Sequence, residues 1–305
     1  MCSDTLDSSP ITIRYLALVL LAFVAASGST LPPAPADWTA WQTRRNESIG
    51  GTNGWTTLIG LHWLKEGDNS VGSAPTNQVV LRSDRVPNNI GVFTRTGKSV
   101  TFTAAENVDV RVRGEKVGRM ELKTDASSGP TRLQVGAVSM VAIERGDRLG
   151  LRVRDPDSAT RRAFKGLRWF PYNPAWRLEG KFVAFPVAEK LRVPDVTGAI
   201  QEFTGPGAIE FTVHGSVYRL TVVQEPGDPD FFLMFHDETS GVSTYGAGRF
   251  LSVSKPDADQ RVVIDFNRAY TPPCGFTAFA TCPIPPRQNW LKLAVKAGEL
   301  KPAGH

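Results

Sequence analysis

The chain has 305 residues, of which 41% are hydrophobic and 21% charged. These values exclude a disordered or collagen-like chain and leave room for one large hydrophobic core or two modest ones. Thirty-five Lys and Arg residues against 30 Asp and Glu residues give a formal net charge of +5. Because the basic residues are scattered and form no dominant run, the charge favours solubility and a mild attraction for anions, and we expect no nucleic-acid partner.

The N-terminal residues 1–30 have the pattern of a secretory signal peptide. Arg14 precedes the 12-residue apolar run YLALVLLAFVAA, and small residues follow it as far as Thr30. The run is too short to span a membrane comfortably, which takes about 20 residues. We expect cleavage between Ala26 and Thr30, and therefore a periplasmic or secreted protein without stable membrane insertion after cleavage. An uncleaved N-terminal anchor is the alternative.

Residues 31–53 are predicted to form a Pro-rich lead-in and one short helix. The lead-in reads LPPAPADW, and the helix covers Trp38–Ile49 with Asp37 as its N-cap. From residue 54 onwards polar and apolar residues alternate as they do in β-strands, with Gly, Asp and Asn at the turns. Short strands separated by such turns predict a sandwich or a barrel, and argue against a parallel βαβ array.

A change in composition divides the β-rich part of the chain. Residues 54–157 have brief strands and glycine-rich turns, whereas the stretch FKGLRWFPYNPAW gathers aromatic residues and prolines. We therefore predict a mainly all-β protein with a β-sandwich domain over residues 54–157 and a second β-rich domain over residues 158–305. One continuous β-structure with a buried crossing loop is the alternative.

Removal of the signal would leave two cysteines, Cys274 and Cys282, with seven residues between them. In an exported protein such a pair forms a disulfide more often than a metal site, because no histidine is near enough in sequence to complete a tetrahedral set. We expect a disulfide that fixes the proline-rich segment PPCGFTAFATCPIPP. We expect no metal site and no cofactor.

Two stretches of the predicted sandwich, NSVGSAPTNQVVLRSDRVPNNIGVF and RGDRLGLRVRD, resemble the opening and closing strands of a forkhead-associated domain. The resemblance covers roughly residues 54–155 and implies a β-sandwich. Ser73 stands where that family has its phosphate-reading arginine, and no Ser-x-x-His follows. The resemblance therefore implies the fold and argues against phosphothreonine binding.

Over nearly the whole chain after the signal, the sequence is similar to an exported bacterial family of proteins of unknown function. The shared stretches read GLHWLKEGDNSVGS, RDPDS, FKGLRWFPYNPAW, TYGAGRFL, DFNRAYTPPC and CPIPPRQN. This similarity implies no activity, because no activity is known for the family. The function has to be inferred from the residues.

The stretch TYGAGRFL, residues 244–251, is the first candidate site. Tyr245 and Arg249 bracket two glycines at alternate positions, which allow a ligand or another backbone to approach closely. Arg249 begins a predicted strand, so that its guanidinium could hold a carboxylate or a phosphate through two parallel hydrogen bonds. The structural alternative is an ion pair between Arg249 and Asp265 on neighbouring strands.

The candidate catalytic groups are Asp265 and His62. Asp265 and Asn267 end a predicted strand on the same face, where they suit a floor for a polar ligand or a cap for the strand end. An Asp that faces a cavity could also act as a general base. Histidine is a favoured acid/base group, but a lone His in an apolar setting is more often structural.

Further charged residues lie near the predicted junction of the two halves. Arg154 and Lys165 could join Arg249 as an anion site, whereas Asp237 and Glu238 are predicted to form a solvated turn. The chain lacks the Ser elbow of the α/β-hydrolases, a Rossmann fingerprint and a phosphate-binding loop. The classes of enzyme that depend on those motifs are therefore disfavoured.

The favoured interpretation is an exported β-rich binding or accessory protein with a pocket for a small polar or anionic ligand at the junction of the two halves. One alternative is a hydrolase with Asp265 or His62 as general base and Arg249 as anion clamp. Another is an envelope module that binds protein partners. Because these interpretations differ on catalysis, the sequence does not decide whether the protein is an enzyme. The predicted walls of the pocket are Trp169, Tyr172, the turn 245–249 and the strand end 265–267.

Overall fold

The computed structural model describes residues 1, 33–225 and 227–303. Residues 2–30 of the predicted signal peptide, with its cleavage site, lie outside the described residues. The predicted N-terminal helix is present as α1, Ala36–Gly50, and a second short helix, α2, covers Ala159–Ala163. In the described part of the chain, no helix is long and apolar enough to cross a membrane.

The first half of the chain forms two sheets. Their strands are β1 (Leu58–Trp63), β2 (Gly67–Gly72), β3 (Val79–Val80), β4 (Gly91–Thr96), β5 (Ser99–Ala104), β6 (Arg111–Val112), β7 (Glu115–Lys116), β8 (Arg119–Glu121), β9 (Arg132–Val135), β10 (Val138–Arg145) and β11 (Arg148–Arg154). One sheet has the order β1-β11-β10-β9-β6-β7 and the other the order β3-β2-β4-β5-β8. All pairs of neighbouring strands are antiparallel except β2 with β3.

The two sheets share one hydrophobic core. Phe93 and Phe102 of the second sheet are fully buried in the same cluster as Met140 and Leu151 of the first. Along β10 and β11 alternate side chains point into this cluster, because successive residues of a strand face opposite sides of the sheet. The predicted β-sandwich is therefore present in the first half of the chain.

The second half of the chain forms a third sheet. Its strands are β12 (Arg177–Pro194), β13 (Ile200–Val213), β14 (Ser216–Gln224), β15 (Phe231–Phe235), β16 (Arg249–Val253) and β17 (Arg261–Asp265). The spatial order is β16-β15-β14-β13-β12-β17, with every neighbouring pair antiparallel. After β17 the chain continues to residue 303 in short 3₁₀ turns, and Leu291, Val295 and Ala297 of that segment pack into the core of the sheet.

The prediction of a mainly all-β protein with a short N-terminal helix is confirmed by these elements. The described residues 33–225 and 227–303 belong to one compact unit. The sandwich core draws on residues 64–153, and the core of the third sheet on residues 182–297. The domain boundary predicted after residue 157 stays a prediction.

Helix α1 lies against the C-terminal segment and positions the side chains discussed below. The indole N–H of Trp38 donates to the backbone carbonyl of Asn267 at 2.9 Å. Arg45, two turns further along, pairs with Glu299 at 3.2 Å. The prediction of Asp37 as N-cap is wrong: Pro35 takes that position, and Asp37 lies in the first turn.

Candidate functional site

Arg249, the centre of the first candidate site, is completely buried. Its Nη2 lies 3.3 Å from a carboxylate oxygen of Asp237 and donates to the carbonyl of Val295 at 3.0 Å. Its Nη1 donates to the carbonyl of Ala297, and the guanidinium lies 5.1 Å from the ring centre of Phe235. The side chain therefore holds the C-terminal segment against the third sheet, and it is not available at a ligand surface.

Asp237, the partner of Arg249, is buried as well, with 1% of its surface exposed. Its carboxylate also accepts from the Thr239 hydroxyl at 2.9 Å and from the Val295 backbone N–H at 2.8 Å. The prediction that Asp237 sits in a solvated turn is wrong, because its charge is compensated inside the protein. The predicted ion pair between Arg249 and Asp265 is wrong as well: Arg249 pairs with Asp237, and Asp265 pairs with Arg268 at 3.6 Å.

The two glycines of TYGAGRFL differ in whether the surrounding structure leaves space for a side chain. Gly248 has a φ of +97°, and a Cβ there would lie 2.5 Å from the Phe235 carbonyl oxygen. At Gly246 the nearest atom to an added Cβ is 3.7 Å away, in Gly241. Gly248 thus lets the turn that starts at Tyr245 pass close to β15.

We expect Gly248→Ala to lower the free energy of unfolding by about 1–3 kcal/mol, because it adds both backbone strain and a steric clash. Urea denaturation monitored by fluorescence measures the loss. Gly246→Ala is the matched control in the same stretch, and it should stay close to the wild type. Equal stabilities for the two variants would contradict the assigned turn geometry.

Asp265 and Asn267 form a strand-end cap. The Asp265 carboxylate accepts from the backbone N–H of Asn267 at 3.1 Å and from its side-chain amide at 2.9 Å. The Asn267 amide also bonds to the backbone of Asn173, as donor and as acceptor, at 2.9 Å each. Asp265 reaches the edge of a cleft of about 860 Å³, together with Tyr172.

The aromatic residues of the predicted junction pack on helix α1. Trp169 meets Trp41 edge to face with ring centres 5.2 Å apart, and Tyr172 meets Trp38 in the same way at 5.5 Å. Such pairs contribute about 0.5–1.5 kcal/mol beyond the area they bury. Trp169 and Tyr172 therefore have the role of holding α1 in place.

The other predicted site residues are dispersed. Arg154 donates to the carbonyl of Gly54 at 2.6 Å and to the hydroxyl of Thr57 at 3.0 Å, which fixes the segment before β1. Lys165 borders a small cavity of about 260 Å³ beside α2. His62 lies on β1, where burial and then the charge of Arg82 lower its pKa. The structure does not bring these three residues together with Arg249.

The disulfide predicted between Cys274 and Cys282 is absent, and both residues are free thiols. The backbone N–H of Cys274 donates to the Cys282 sulfur at 3.2 Å, so the pair is joined by hydrogen bonding and not covalently. The Tyr245 side chain also forms a hydrogen bond with the Cys274 side chain. These hydrogen bonds hold the proline-rich segment without a covalent bond. The sequence had predicted that a disulfide would fix it.

A cavity of about 690 Å³ lies between α1, the end of the β10–β11 hairpin and the third sheet, and we call it the arginine cavity. Arginines and aromatic rings make up much of its wall, and carboxylates border it. Its charged lining residues are Arg44, Arg45, Arg145, Arg152, Glu225, Asp228 and Asp230, and its aromatic ones are Trp41, Trp55, Phe203, Phe231, Phe232, Phe250 and Tyr270. The volume falls within the range typical of small-molecule sites, about 300–1,000 Å³.

Arg152 differs from its neighbours in the arginine cavity because it lacks full compensation. Its side chain is only 10% exposed, yet its nearest carboxylate oxygen, on Asp125, is 4.0 Å away. Its Nε and Nη2 are buried without a hydrogen-bond partner in the described residues, and its guanidinium lies 5.3 Å from the Trp55 ring centre. Burial, and next the charge of Arg145, lowers the pKa of Arg152 to about 10, so it stays charged at neutral pH.

Arg44 of this cavity is exposed to solvent, and the two less exposed neighbours of Arg152 already have partners. Arg45 pairs with Glu299 at 3.2 Å, and Arg145 holds Asp125 at 2.9 Å while donating to Thr281 at 2.9 Å. Arg145 therefore uses most of the charge of Asp125, which leaves Arg152 as the buried cation of this cavity with the weakest compensation.

Sequence reasoning missed the arginine cavity because its arginines come from separate elements. Arg45 lies in the helix, whereas Arg145 and Arg152 lie on the two strands of one hairpin. The available signal was the alternation of Arg152 and Arg154 along β11, which places both on one face. Trp55 lies against that face, with guanidinium carbons 5.3 and 5.6 Å from its ring centre.

Residues 162–300 match a family described as "Protein of unknown function (DUF1684)". The match agrees with the predicted resemblance to a family of unknown function, and it covers the third sheet together with the C-terminal segment. No curated protein matches the chain.

Solved structures similar to the chain include an uncharacterised protein of Haloarcula marismortui, studied in solution. It is 26% identical with a TM-score of 0.42, over 50% of this chain and 85% of that one. The FHA domain of FhaA is 15% identical with a TM-score of 0.23, over 31% of this chain and 97% of that one. A further FHA structure is 15% identical with a TM-score of 0.22, over 32% and 91%.

Proposed function

We propose that this protein binds a small ligand with an anionic group in the arginine cavity. The observation that carries the proposal is Arg152, a charged side chain about nine-tenths buried at the cavity wall, with two nitrogens that lack hydrogen-bond partners in the described residues. Burying a charge is unfavourable unless another charge or several hydrogen bonds compensate it. An anion that enters the cavity would supply that compensation.

The chemistry of the wall indicates the class of ligand. A guanidinium recognises planar carboxylates and phosphates, and it is desolvated more easily than an ammonium. Arg45 and Arg145 add positive potential, although their own hydrogen bonds are largely used within the protein. The aromatic rings around them offer contact area to an apolar ligand body. A carboxylate or phosphate attached to such a body suits both parts of the wall.

The hydrolase alternative receives no support from this cavity. Asp265 and His62, its candidate bases, are not among the residues that line it. Asp265 is engaged as a cap for the turn at Asn267. The arginine cavity is therefore proposed as a binding site without an assigned reaction.

The decisive variant is Arg152→Gln, which keeps hydrogen-bonding capacity and removes the charge. We expect carboxylates and phosphates that raise the melting temperature of the wild type to lose that effect in the variant. At a hundredfold excess over its dissociation constant, a ligand stabilises by about 2.7 kcal/mol, which a thermal-shift assay resolves easily. Without ligand the variant should be at least as stable as the wild type, because a poorly compensated buried charge is gone.

Arg148→Gln is the matched control. Arg148 lies on the same strand and also stacks on a tryptophan, Trp63, at 3.6 Å, but it does not line the arginine cavity. The control should respond to anions as the wild type does. Anion-dependent stabilisation that persists in Arg152→Gln would overturn the proposal.

A further inference from the structure

The arginine cavity is bordered by carboxylates without an ion-pair partner in the described residues, as well as by the buried, poorly compensated Arg152. Glu225, Asp228 and Asp230 all lie in the connection between β14 and β15 and border the cavity. None of the three forms an ion pair with a side chain in the described parts of the chain. The cavity therefore has a basic side built on β10, β11 and α1, and an acidic side built on one loop.

The internal bonding of this loop leaves its carboxylates free for other partners. The side-chain amide of Gln224 donates to the backbone carbonyls of Glu225 and Asp228 at 2.9 Å each. The backbone N–H of Asp228 donates to the carbonyl of Glu225 at 3.2 Å. These bonds use backbone groups and one neutral side chain, and none of the three carboxylates takes part in them. Partial burial, and then the nearby Asp228, raises the pKa of Glu225, as expected for a carboxylate without a cationic partner.

The arrangement of the carboxylates favours an organic cation over a metal ion. Within the described residues, no group of three or more His, Cys, Asp or Glu side chains converges as a metal ion requires. Trp41 and Phe232 line the same cavity. Aromatic faces beside carboxylates attract ammonium groups, since the ring face and the carboxylate both carry negative charge.

We infer that the ligand of the arginine cavity is zwitterionic, with its carboxylate or phosphate at Arg152 and an ammonium group at the acidic loop of Glu225, Asp228 and Asp230. An apolar linker between the two groups would lie along the aromatic wall. This inference rests on the proposed function, because it names the class of ligand for the same site.

Matched probes test the inference with the full chain. ω-Amino acids of increasing chain length are compared with the alkanoates and alkylamines of the same length, and phosphocholine is compared with inorganic phosphate, by calorimetric titration. We expect the best zwitterion to bind about tenfold or more tightly than its matched anion, which corresponds to about 1.4 kcal/mol. Equal affinities for the two members of every pair would overturn the inference.

A charge-neutral loop supplies the second arm of the experiment. In the triple variant Glu225→Gln, Asp228→Asn, Asp230→Asn, the zwitterion should bind no better than its matched anion, while the anion itself binds at least as well as before. The control removes three exposed carboxylates outside the cavity and should keep the wild-type preference. The control variant is Glu106→Gln, Asp109→Asn, Glu115→Gln.

The possible failures are distinguishable. If anions bind through Arg152 but the triple variant keeps the preference for zwitterions, the inference about the loop is wrong and the proposed function stands. If Arg152→Gln binds every probe as the wild type does, or if no anionic or zwitterionic probe binds the wild type, the proposed function fails, and the inference fails with it.

Discussion

Replacing Arg249 by methionine is expected to lower the free energy of unfolding by about 3–5 kcal/mol, because it leaves the carboxylate of Asp237 buried without its cation. The exposed fractions of the two side chains are 0% and 1%, so that water cannot take over the role of the guanidinium. The change also removes the donors to the carbonyls of Val295 and Ala297, which anchor the C-terminal segment. Urea denaturation at neutral pH gives the difference directly.

A surface arginine provides the control for this variant. Arg261 is 72% exposed and pairs with Asp259 at 3.0 Å on the outside of the third sheet. Exposed pairs of this kind contribute about 0–1 kcal/mol, so Arg261→Met should change stability little. If Arg249→Met were as stable as Arg261→Met, the buried pair would not be structural, and the stretch TYGAGRFL would again be a candidate binding site.

A double variant separates the pair from its surroundings. Asp237→Asn combined with Arg249→Met should cost less than the sum of the two single changes, because the second change removes the charge that the first one leaves unpaired. Coupling between residues in direct contact amounts to about 0.5–3 kcal/mol. Strict additivity would show that Thr239 and the backbone of Val295, not Asp237, determine the position of Arg249.

The secondary structure of most segments could be predicted from the sequence, because it depends on local patterns of polar and apolar residues. Alternation along segments such as LGLRVRD predicts strands whichever partner they find, and β11 covers that run up to Arg154. The N-terminal helix was found for the same reason. Its cap was misassigned because Asp37 belongs to the first turn and pairs with Arg268, a partner 231 residues away. Local patterns locate an element, but its ends depend on tertiary contacts.

The roles of individual polar residues were much harder to predict from the sequence. The sequence predicted a ligand clamp or an ion pair with Asp265 for Arg249, and a solvated turn for Asp237. They are buried because the C-terminal segment, which has no strand of its own, lies over them and offers the carbonyls of Val295 and Ala297. The arginine cavity shows the same limit, because Arg45, Arg145 and Arg152 meet only when helix, sandwich and third sheet are assembled.

A second buried carboxylate, Glu299, gives rise to a pH dependence of stability. Its side chain is fully buried, and Oε2 accepts from Nε of Arg45 at 3.2 Å. Burial raises the pKa of Glu299 to about 7 against the opposing effect of Arg45. The folded protein therefore holds the proton of Glu299 at pH values where the unfolded chain has released it.

The sign and the size of the effect follow from this difference. Since the pKa is higher in the folded state, the contribution of Glu299 to stability is most favourable below about pH 4.5, and it falls as the pH rises to about 7. Each unit of difference in pKa corresponds to about 1.4 kcal/mol, which gives a loss of about 3 kcal/mol across this window. Above about pH 7 the contribution of this residue is constant.

The variant Glu299→Gln isolates the contribution, because every other titrating group is common to the two proteins. The free energy of unfolding of the variant relative to the wild type should rise by about 3 kcal/mol between about pH 4.5 and pH 8, as urea denaturation over a pH series would show. Glu115→Gln, at an exposed site, should give a constant difference from the wild type over the same range. A constant difference for Glu299→Gln would mean that Arg45 keeps Glu299 ionised throughout. Helix α1 would then be held to the C-terminal segment by a full ion pair over the whole of this pH range, instead of by a bond whose charge changes near neutrality.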